Sequence, residues 1–224
     1  MARIETPESL HETDWEINKP DDTSLQSSGR FQALIKLIKK HNPDKVFDIG
    51  CGSGFLCHMI KSWKPETELH GCDISNVALD RAKLAMEKVW MVNLNIEGIP
   101  VESDTYDVVI CSEVLEHIYD VNHALLEVSR LLKPKGIGLL TVPNLVYWRY
   151  RWDILLGHLP ISVDDDRHLH QFTQKSFKEK LNKADMTGLS VSGFRKRFPW
   201  LADWKPSVFS DTLIFEVIKS DKSY

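Results

Sequence analysis

The chain predicts an α/β fold: a seven-stranded, mostly parallel sheet with helices on both faces and the last strand antiparallel. Three observations carry that expectation. Short apolar runs alternate with helix-period segments from Val46 to Val142, the pattern of strand–helix–strand crossovers that set parallel strands side by side. A glycine-rich turn, VFDIGCGSG from Val46 to Gly54, passes from an apolar run straight into the helix-like FLCHMIKSW. The final run, Leu213–Ile218, has no crossover helix before it, and strands joined without one pair antiparallel.

The elements follow in order. Residues 1–22 are polar and carry Pro7, Pro20 and Asp21-Asp22. They read as a mobile leader, or as a segment that folds over a ligand. Asp22-Thr23-Ser24 can cap a helix whose apolar positions are Phe31, Leu34, Ile35 and Ile38, stopping before Asn42-Pro43. Val46–Ile49 is the first strand, and Phe55–Trp63 is a helix ended by Lys64-Pro65. Glu68–Cys72 is the second strand. Ser75 caps a helix with Val77, Ala78, Ala82, Ala85 and Met86 on its apolar face. Val89–Leu94 and Tyr106–Cys111 are strands three and four, the latter suited to a buried parallel position. A helix through Ala124, Leu125, Val128, Leu131 and Leu132 is stopped by Lys133-Pro134-Lys135-Gly136, and Ile137–Val142 is the fifth strand.

From Pro143 to His170 the rhythm breaks. The stretch is aromatic and basic through Trp152, then carries Pro160 and Asp164-Asp165-Asp166. A helix over Thr173–Ala184 and strands at Leu189–Phe194 and Leu213–Ile218 complete the pattern. Residues 23–224 thus read as one domain, with 143–170 as a substrate-facing insert. Trp148 and Trp152 stand at i and i+4. They read first as the core face of a helix, with a substrate cage as the alternative.

Composition narrows the classes. The chain has 224 residues, 42% of them hydrophobic, enough for one substantial core. The net charge of −4 argues against a general nucleic-acid binder, whose affinity rests on neutralising phosphates. Cys51, Cys57, Cys72 and Cys111 form no C-x-x-C pair and read as buried thiols of a reducing compartment. No apolar run is long enough to cross a bilayer, and residues 1–16 have no apolar signal core. The expectation is a cytoplasmic protein, monomer or homodimer, acting on a small molecule.

Glycine at the strand-to-helix turn lets a ligand approach the main chain, and the helix N-terminus behind it offers unpaired N–H groups. The spacing is G-x-G-x-G, not the dinucleotide G-x-G-x-x-G, and no Gly-Lys-Ser/Thr follows. Asp48 before the loop would repel a diphosphate but suit a cationic ligand. Asp73, at the end of strand two, can accept both hydroxyls of a ribose. A cationic nucleoside without phosphate fits: S-adenosylmethionine carries an ammonium, a sulfonium and an adenosine. A dinucleotide oxidoreductase is the fold-level alternative.

VFDIGCGSG, then HGCDIS, then YDVVICSEVLEHI, then LLKPKG and VPN, together resemble class I S-adenosylmethionine-dependent methyltransferases over residues 30–185. The resemblance implies a Rossmann-like sheet. It implies that Gly50, Cys51, Gly52 and Gly54 lie against the methionine part of the cofactor and that Asp48 holds the loop or reaches the ammonium through water. Asp73 would bind the ribose, and Ile74 would pack on adenine. Asn95-Ile96 stands where the family often has an acidic residue at the adenine amino group; asparagine departs from that pattern but can still accept. Ser112 and Glu113 would line the methyl end. Arg30 would pair the cofactor carboxylate, unless it is a solvated surface arginine.

Glu113, Glu116 and His117 stand at i, i+3 and i+4, one face of a helix if the stretch is helical. Glu116-His117 is on one reading the ordinary cofactor-orienting motif of such enzymes. On the other it belongs to a divalent-metal site for Mg²⁺, Mn²⁺ or Zn²⁺. Similar clusters occur in ubiquinone-pathway O-methyltransferases and in enzymes that methylate the terminal 2′-hydroxyl of small RNAs. By resemblance to the latter, His168 would be a fourth ligand beside Glu113, Glu116 and His117. His170 aligns instead with a histidine of methionine-biosynthesis W-type proteins, which share the run from Val142 to Arg151.

The expected activity is methyl transfer to a small-molecule acceptor, most simply at a hydroxyl oxygen, by in-line attack. His117 is the first candidate base, then His168 and His170, with Glu116 as orienter or ligand. A metal-dependent RNA 2′-O-methyltransferase and a non-catalytic partner of a biosynthetic enzyme are the alternatives.

Overall fold

The computed structural model describes residues 29–194 and 199–220. The expected leader, 1–22, and the cap at 22–24 lie outside the described residues. The chain divides into two compact units, Met1–Val101 and Glu102–Tyr224.

In the first unit, α1 (Gly29–His41) buries Leu34, Ile35 and Ile38. Three parallel strands follow: β1 (Lys45–Ile49), β2 (Glu68–Asp73) and β3 (Lys88–Met91), in the order β3-β2-β1. Helix α2 (Phe55–Trp63) joins β1 to β2 and buries Phe55, Leu56, Cys57 and Ile60. Helix α3 (Asn76–Ala82) joins β2 to β3, and the Ser75 hydroxyl accepts the Ala78 N–H to cap it. Two expected boundaries move. The α3 helix ends at Ala82, although Ala85 and Met86 stay buried beyond it, and β3 ends at Met91, although Val92 and Leu94 are buried in the turn that follows. Burial kept the apolar pattern running after the regular hydrogen bonding had stopped.

In the second unit, β4 (Tyr106–Ser112), β5 (Leu132–Pro143), β6 (Met186–Phe194) and β7 (Thr212–Lys219) lie in the order β4-β5-β7-β6. β4 and β5 are parallel, while β7 runs antiparallel to both β5 and β6. Among the described residues the two units together supply the seven strands expected, with the last strand reversed. Helix α4 (Val121–Leu131), capped by Asp120, leads into β5. The insert holds α5 (Trp148–Leu155) and the short α6 (Ile161–Asp164). Helix α7 (Gln174–Lys183) starts at a capping box in which Thr173 and Ser176 satisfy each other's main-chain N–H groups. Two short helices, α8 (Pro199–Trp204) and α9 (Pro206–Phe209), precede β7.

Two expectations are corrected here. β5 begins at Leu132, five residues before the expected start. The register shifts between Tyr106 and Val108, and Leu132 and Ile137 are both paired, so the four residues Lys133–Gly136 are absorbed as an irregularity instead of separating helix from strand. Helix α5 buries none of its residues, and Trp152 is 56% exposed. The Trp148–Trp152 pair is therefore not a core face.

Asn144 fixes where the insert leaves the sheet. It is fully buried, its side-chain amide donates to the carbonyls of Ser207 and Ser210, and its N–H donates to the Asp211 carbonyl.

Candidate active site

The glycine turn of the first unit is held by β2. The Gly50 and Cys51 N–H groups both donate to the Cys72 carbonyl, at 2.8 and 3.0 Å. Gly50, Gly52 and Gly54 have φ of 70°, 52° and 74°, a region L side chains enter only with strain. A Cβ on Gly54 would also stand 3.0 Å from the Ala82 Cα, so close packing of α3 on the turn requires glycine there, whatever the ligand. Asp73 ties the turn to the strand end. One carboxylate oxygen accepts the Gly52 N–H at 2.9 Å and the other accepts the Ser75 N–H at 3.0 Å.

Asp48 is buried beneath the turn, 4% exposed, with the Cys57 thiol donating to its carboxylate. Burial, and then the negative charge of Asp73, push its pKa up to about 7. The thiols of Cys51 and Cys57 are raised well above the usual cysteine range, chiefly by burial, so they are inert side chains of the turn's packing. Ile74 is half-buried beside Asp73, and Asn95 and Ile96 lie in the turn after β3, with Ile96 80% exposed. Arg30 stacks over the Phe31 ring, which meets Phe55 at the start of α2.

In the second unit, the stretch after β4 is not an α-helix. Glu113 has a left-handed φ of 55°, and Leu115–His117 form one 3₁₀ turn. The helical reading that put Glu113, Glu116 and His117 on one face is corrected accordingly. Glu116, His117 and His168 do come together, with candidate ligand atoms all within 4.8 Å of one another. Glu113 is not in that group. Its Oε1 accepts the Thr141 hydroxyl at 2.8 Å, and its N–H donates to the same oxygen at 3.0 Å.

Glu116 is fully buried. Its carbonyl accepts the N–H groups of both Leu169 and His170, which straps the 168–170 segment onto the 3₁₀ turn. His117 Nδ1 lies 3.0 Å from the Arg167 carbonyl, and His168 Nδ1 lies 2.8 Å from the Ser162 carbonyl. A carbonyl only accepts, so both rings carry the proton on Nδ1 when neutral and the lone pair on Nε2. The two rings are 4.9 Å apart. His170 faces elsewhere: its Nε2 donates to the Tyr119 carbonyl at 3.2 Å. Asp165 is held well below the usual carboxylate range by the Arg167 guanidinium, and this pair shapes the loop that presents His168.

A family model described as a methyltransferase domain matches residues 26–191. The chain belongs to the methyltransferase-domain family. Two curated relatives in this methyltransferase family are similar over its body. A ubiquinone biosynthesis O-methyltransferase of Acinetobacter baylyi is 30% identical over 175 residues, covering 70% of this chain and 71% of that one. A malonyl-[acyl-carrier protein] O-methyltransferase of Hahella chejuensis is 27% identical over 147 residues, covering 63% of this chain. The chain spans half of that relative's length. Among solved structures, magnesium protoporphyrin IX methyltransferase from Synechocystis PCC 6803, with bound SAH, superposes with a TM-score of 0.68 at 16% identity, covering 95% of this chain and 96% of that one. The likeness to that structure is one of fold.

One residue of this methyltransferase domain that the sequence reading passed over is Thr141. It is fully buried near the end of β5, and its hydroxyl meets Ser112 Oγ at 3.0 Å besides its two bonds to Glu113. The available signal was its place one residue before Val142-Pro143-Asn144, at the carboxyl edge of a central strand. Tyr150, in the aromatic insert, meets the Tyr147 ring edge-on, and burial and the negative charge of Asp211 push its phenol up to about 12.

Proposed function

We propose that this protein moves the methyl group of S-adenosylmethionine to a hydroxyl oxygen of a small-molecule acceptor. Both relatives named above are O-methyltransferases by name, which supports oxygen as the accepting atom. The observation that carries the reading is the tautomer of His117. With Nδ1–H given to the Arg167 carbonyl, Nε2 is the basic nitrogen, as a group that takes a hydroxyl proton requires. Glu116 stands beside it, its carboxyl oxygen within 4.8 Å of the candidate ligand atoms of His117 and His168. S-adenosylmethionine supplies a methyl already activated by its sulfonium, which leaves the protein chiefly with alignment.

In this reading Asp73 takes the ribose hydroxyls, since a carboxylate accepts several hydrogen bonds at once. The main chain of Gly50, Cys51 and Gly52 lies against the methionine part, and Asp48 supports that turn from below. Gly54 belongs to the turn through its packing on Ala82. Ile74, Asn95 and Ile96 serve the adenine, Arg30 the carboxylate, and Ser112 with Glu113 the methyl end. His168 and His170 are the further candidates for proton transfer, with His168 favoured because it shares the cluster.

The same cluster favours a second reading, in which Glu116, His117 and His168 hold a divalent ion that orients the hydroxyl and lowers its pKa. Both imidazoles give Nδ1–H to a carbonyl, the outer contact that metal-binding histidines usually make. Two nitrogens and one carboxylate suit Zn²⁺ or Mn²⁺ better than Mg²⁺, which prefers oxygen. Glu113, engaged with Thr141, stands outside that ligand set.

The test is an assay with labelled S-adenosylmethionine against phenols, catechols, carboxylic acids and a short RNA with a free terminal ribose, with and without EDTA. Label in a small hydroxyl acceptor, lost in His117→Ala, supports the reading. Loss of activity in EDTA selects the metal form. Label only in RNA, or no label while S-adenosylhomocysteine still binds, overturns it.

A further inference from the structure

A second surface of the second unit, lined by none of Glu116, His117 and His168, has features of its own. Two adjoining cavities of about 470 and 490 Å³ share Gln174, Lys178 and Ser207. They form one groove between α7, β6 and α9. The larger is lined by Arg151, Lys175 and Lys178, and the smaller by Lys178 and Lys205, against Glu179 and Asp203 as the acidic residues. Helix α7 also exposes Lys183, so this surface is basic in a chain whose net charge is −4.

The wall of the smaller cavity is the edge of the sheet. Strand β6 ends the strand order, and among the described residues its ladder partner is β7 alone. Four consecutive residues, Gly188 to Val191, line the cavity. The ladder to β7 shifts register between Gly188 and Ser190, so the side chains do not simply alternate there, and the cavity lies against this bulged stretch of the terminal strand. Residues 187–190 are exposed, and a Cβ on Gly188 would meet nothing within 4 Å. Leu189 and Trp204, 51% and 72% exposed, add apolar surface at the same place.

We propose that this groove binds an extended acidic segment of a partner protein, added as a strand to β6. An open strand edge offers a row of main-chain donors and acceptors, which another polypeptide backbone matches and a nucleic acid does not. The lysines select acidic side chains on the added strand, and Leu189 and Trp204 accept the apolar ones between them. Charge complementarity of this kind sets partner choice and association rate more than affinity. The inference is independent of the acceptor chemistry proposed above.

The experiment measures fluorescence anisotropy of a labelled eight-residue peptide of alternating glutamate and valine with the full chain. The controls are the same peptide N-methylated at alternate residues and a labelled single-stranded oligodeoxythymidine. The expected result is saturable binding that weakens as salt is raised and falls about tenfold or more in the double variant Lys178→Glu, Lys205→Glu. S-adenosylhomocysteine binding should remain in that variant, showing that it is folded. N-methylation should abolish binding, because it removes the donors of the ladder. Absent binding, equal binding by the N-methylated peptide or by the charge-reversed protein, or tighter binding of the oligonucleotide would overturn the proposal.

Discussion

Thr141 shows how much one hydroxyl can organise. It has one proton to donate and two lone pairs to fill, and Glu113 Oε1, the Glu113 N–H and Ser112 Oγ take all three. Those bonds hold Glu113 at a φ of 55°, a conformation that costs a non-glycine residue about 1 kcal/mol or more. Thr141→Val keeps the shape and removes the hydroxyl. It should cost about 1–3 kcal/mol in urea unfolding and lower kcat about tenfold or more, with KM for the cofactor little changed, while Thr141→Ser restores both. Equal kcat in the valine variant would show that the orientation of Glu113 does not matter to turnover. The sequence could mark Glu113, Glu116, His117 and His168 as chemically capable. It could not show that the first is drawn off by a threonine 28 residues away while the others converge, because that depends on a left-handed backbone and a 3₁₀ turn.

At the scale of the element, the strand–helix alternation was legible because burial alternates with it. Tyr106–Ser112 has five of seven residues buried and β1 has four of five, as parallel strands covered on both faces must. The insert was less legible. Its aromatic residues have helical spacing, which says nothing of whether a partner element covers them, and α5 has none of its residues buried. Beta-strand six carries a sharper lesson in two glycines. A Cβ on Gly193 would fall 1.8 Å from Ser210 Oγ and 2.4 Å from its Cβ, whereas one on Gly188 meets open space. Gly193→Ala should therefore destabilise the protein by about 1–3 kcal/mol or more, and Gly188→Ala should stay within about 0.5 kcal/mol. Comparable urea midpoints for the two variants would contradict the packing of β6 on the segment before β7.

For the whole molecule, the most consequential charge is the one kept out of water. Asp48 is raised from an ordinary carboxylate value of 3.8 to about 7 by burial and by Asp73. Between those values the folded protein holds a proton that the unfolded chain has released, so stability is fullest at low pH and declines as pH rises through 7. Asp48→Asn stays neutral at every pH. The wild type should lose thermal stability between pH 5 and pH 8 relative to this variant. At pH 8 the variant should melt at least about 3 °C higher, the shift that 1 kcal/mol produces in a chain of this size. Parallel melting curves across that range would show that Asp48 is ionised in the fold.

The single carbonyl of Glu116, shared by the N–H groups of Leu169 and His170, ties the turn that carries His117 to the loop that carries His168. His117 holds the Arg167 carbonyl, while the turn that carries His117 holds the next residues of the same loop. A local opening that peels 165–170 away would break the Glu116 bonds and free the His117 ring together, so if His117 is the base, its orientation would be lost well before the sheet behind it came apart.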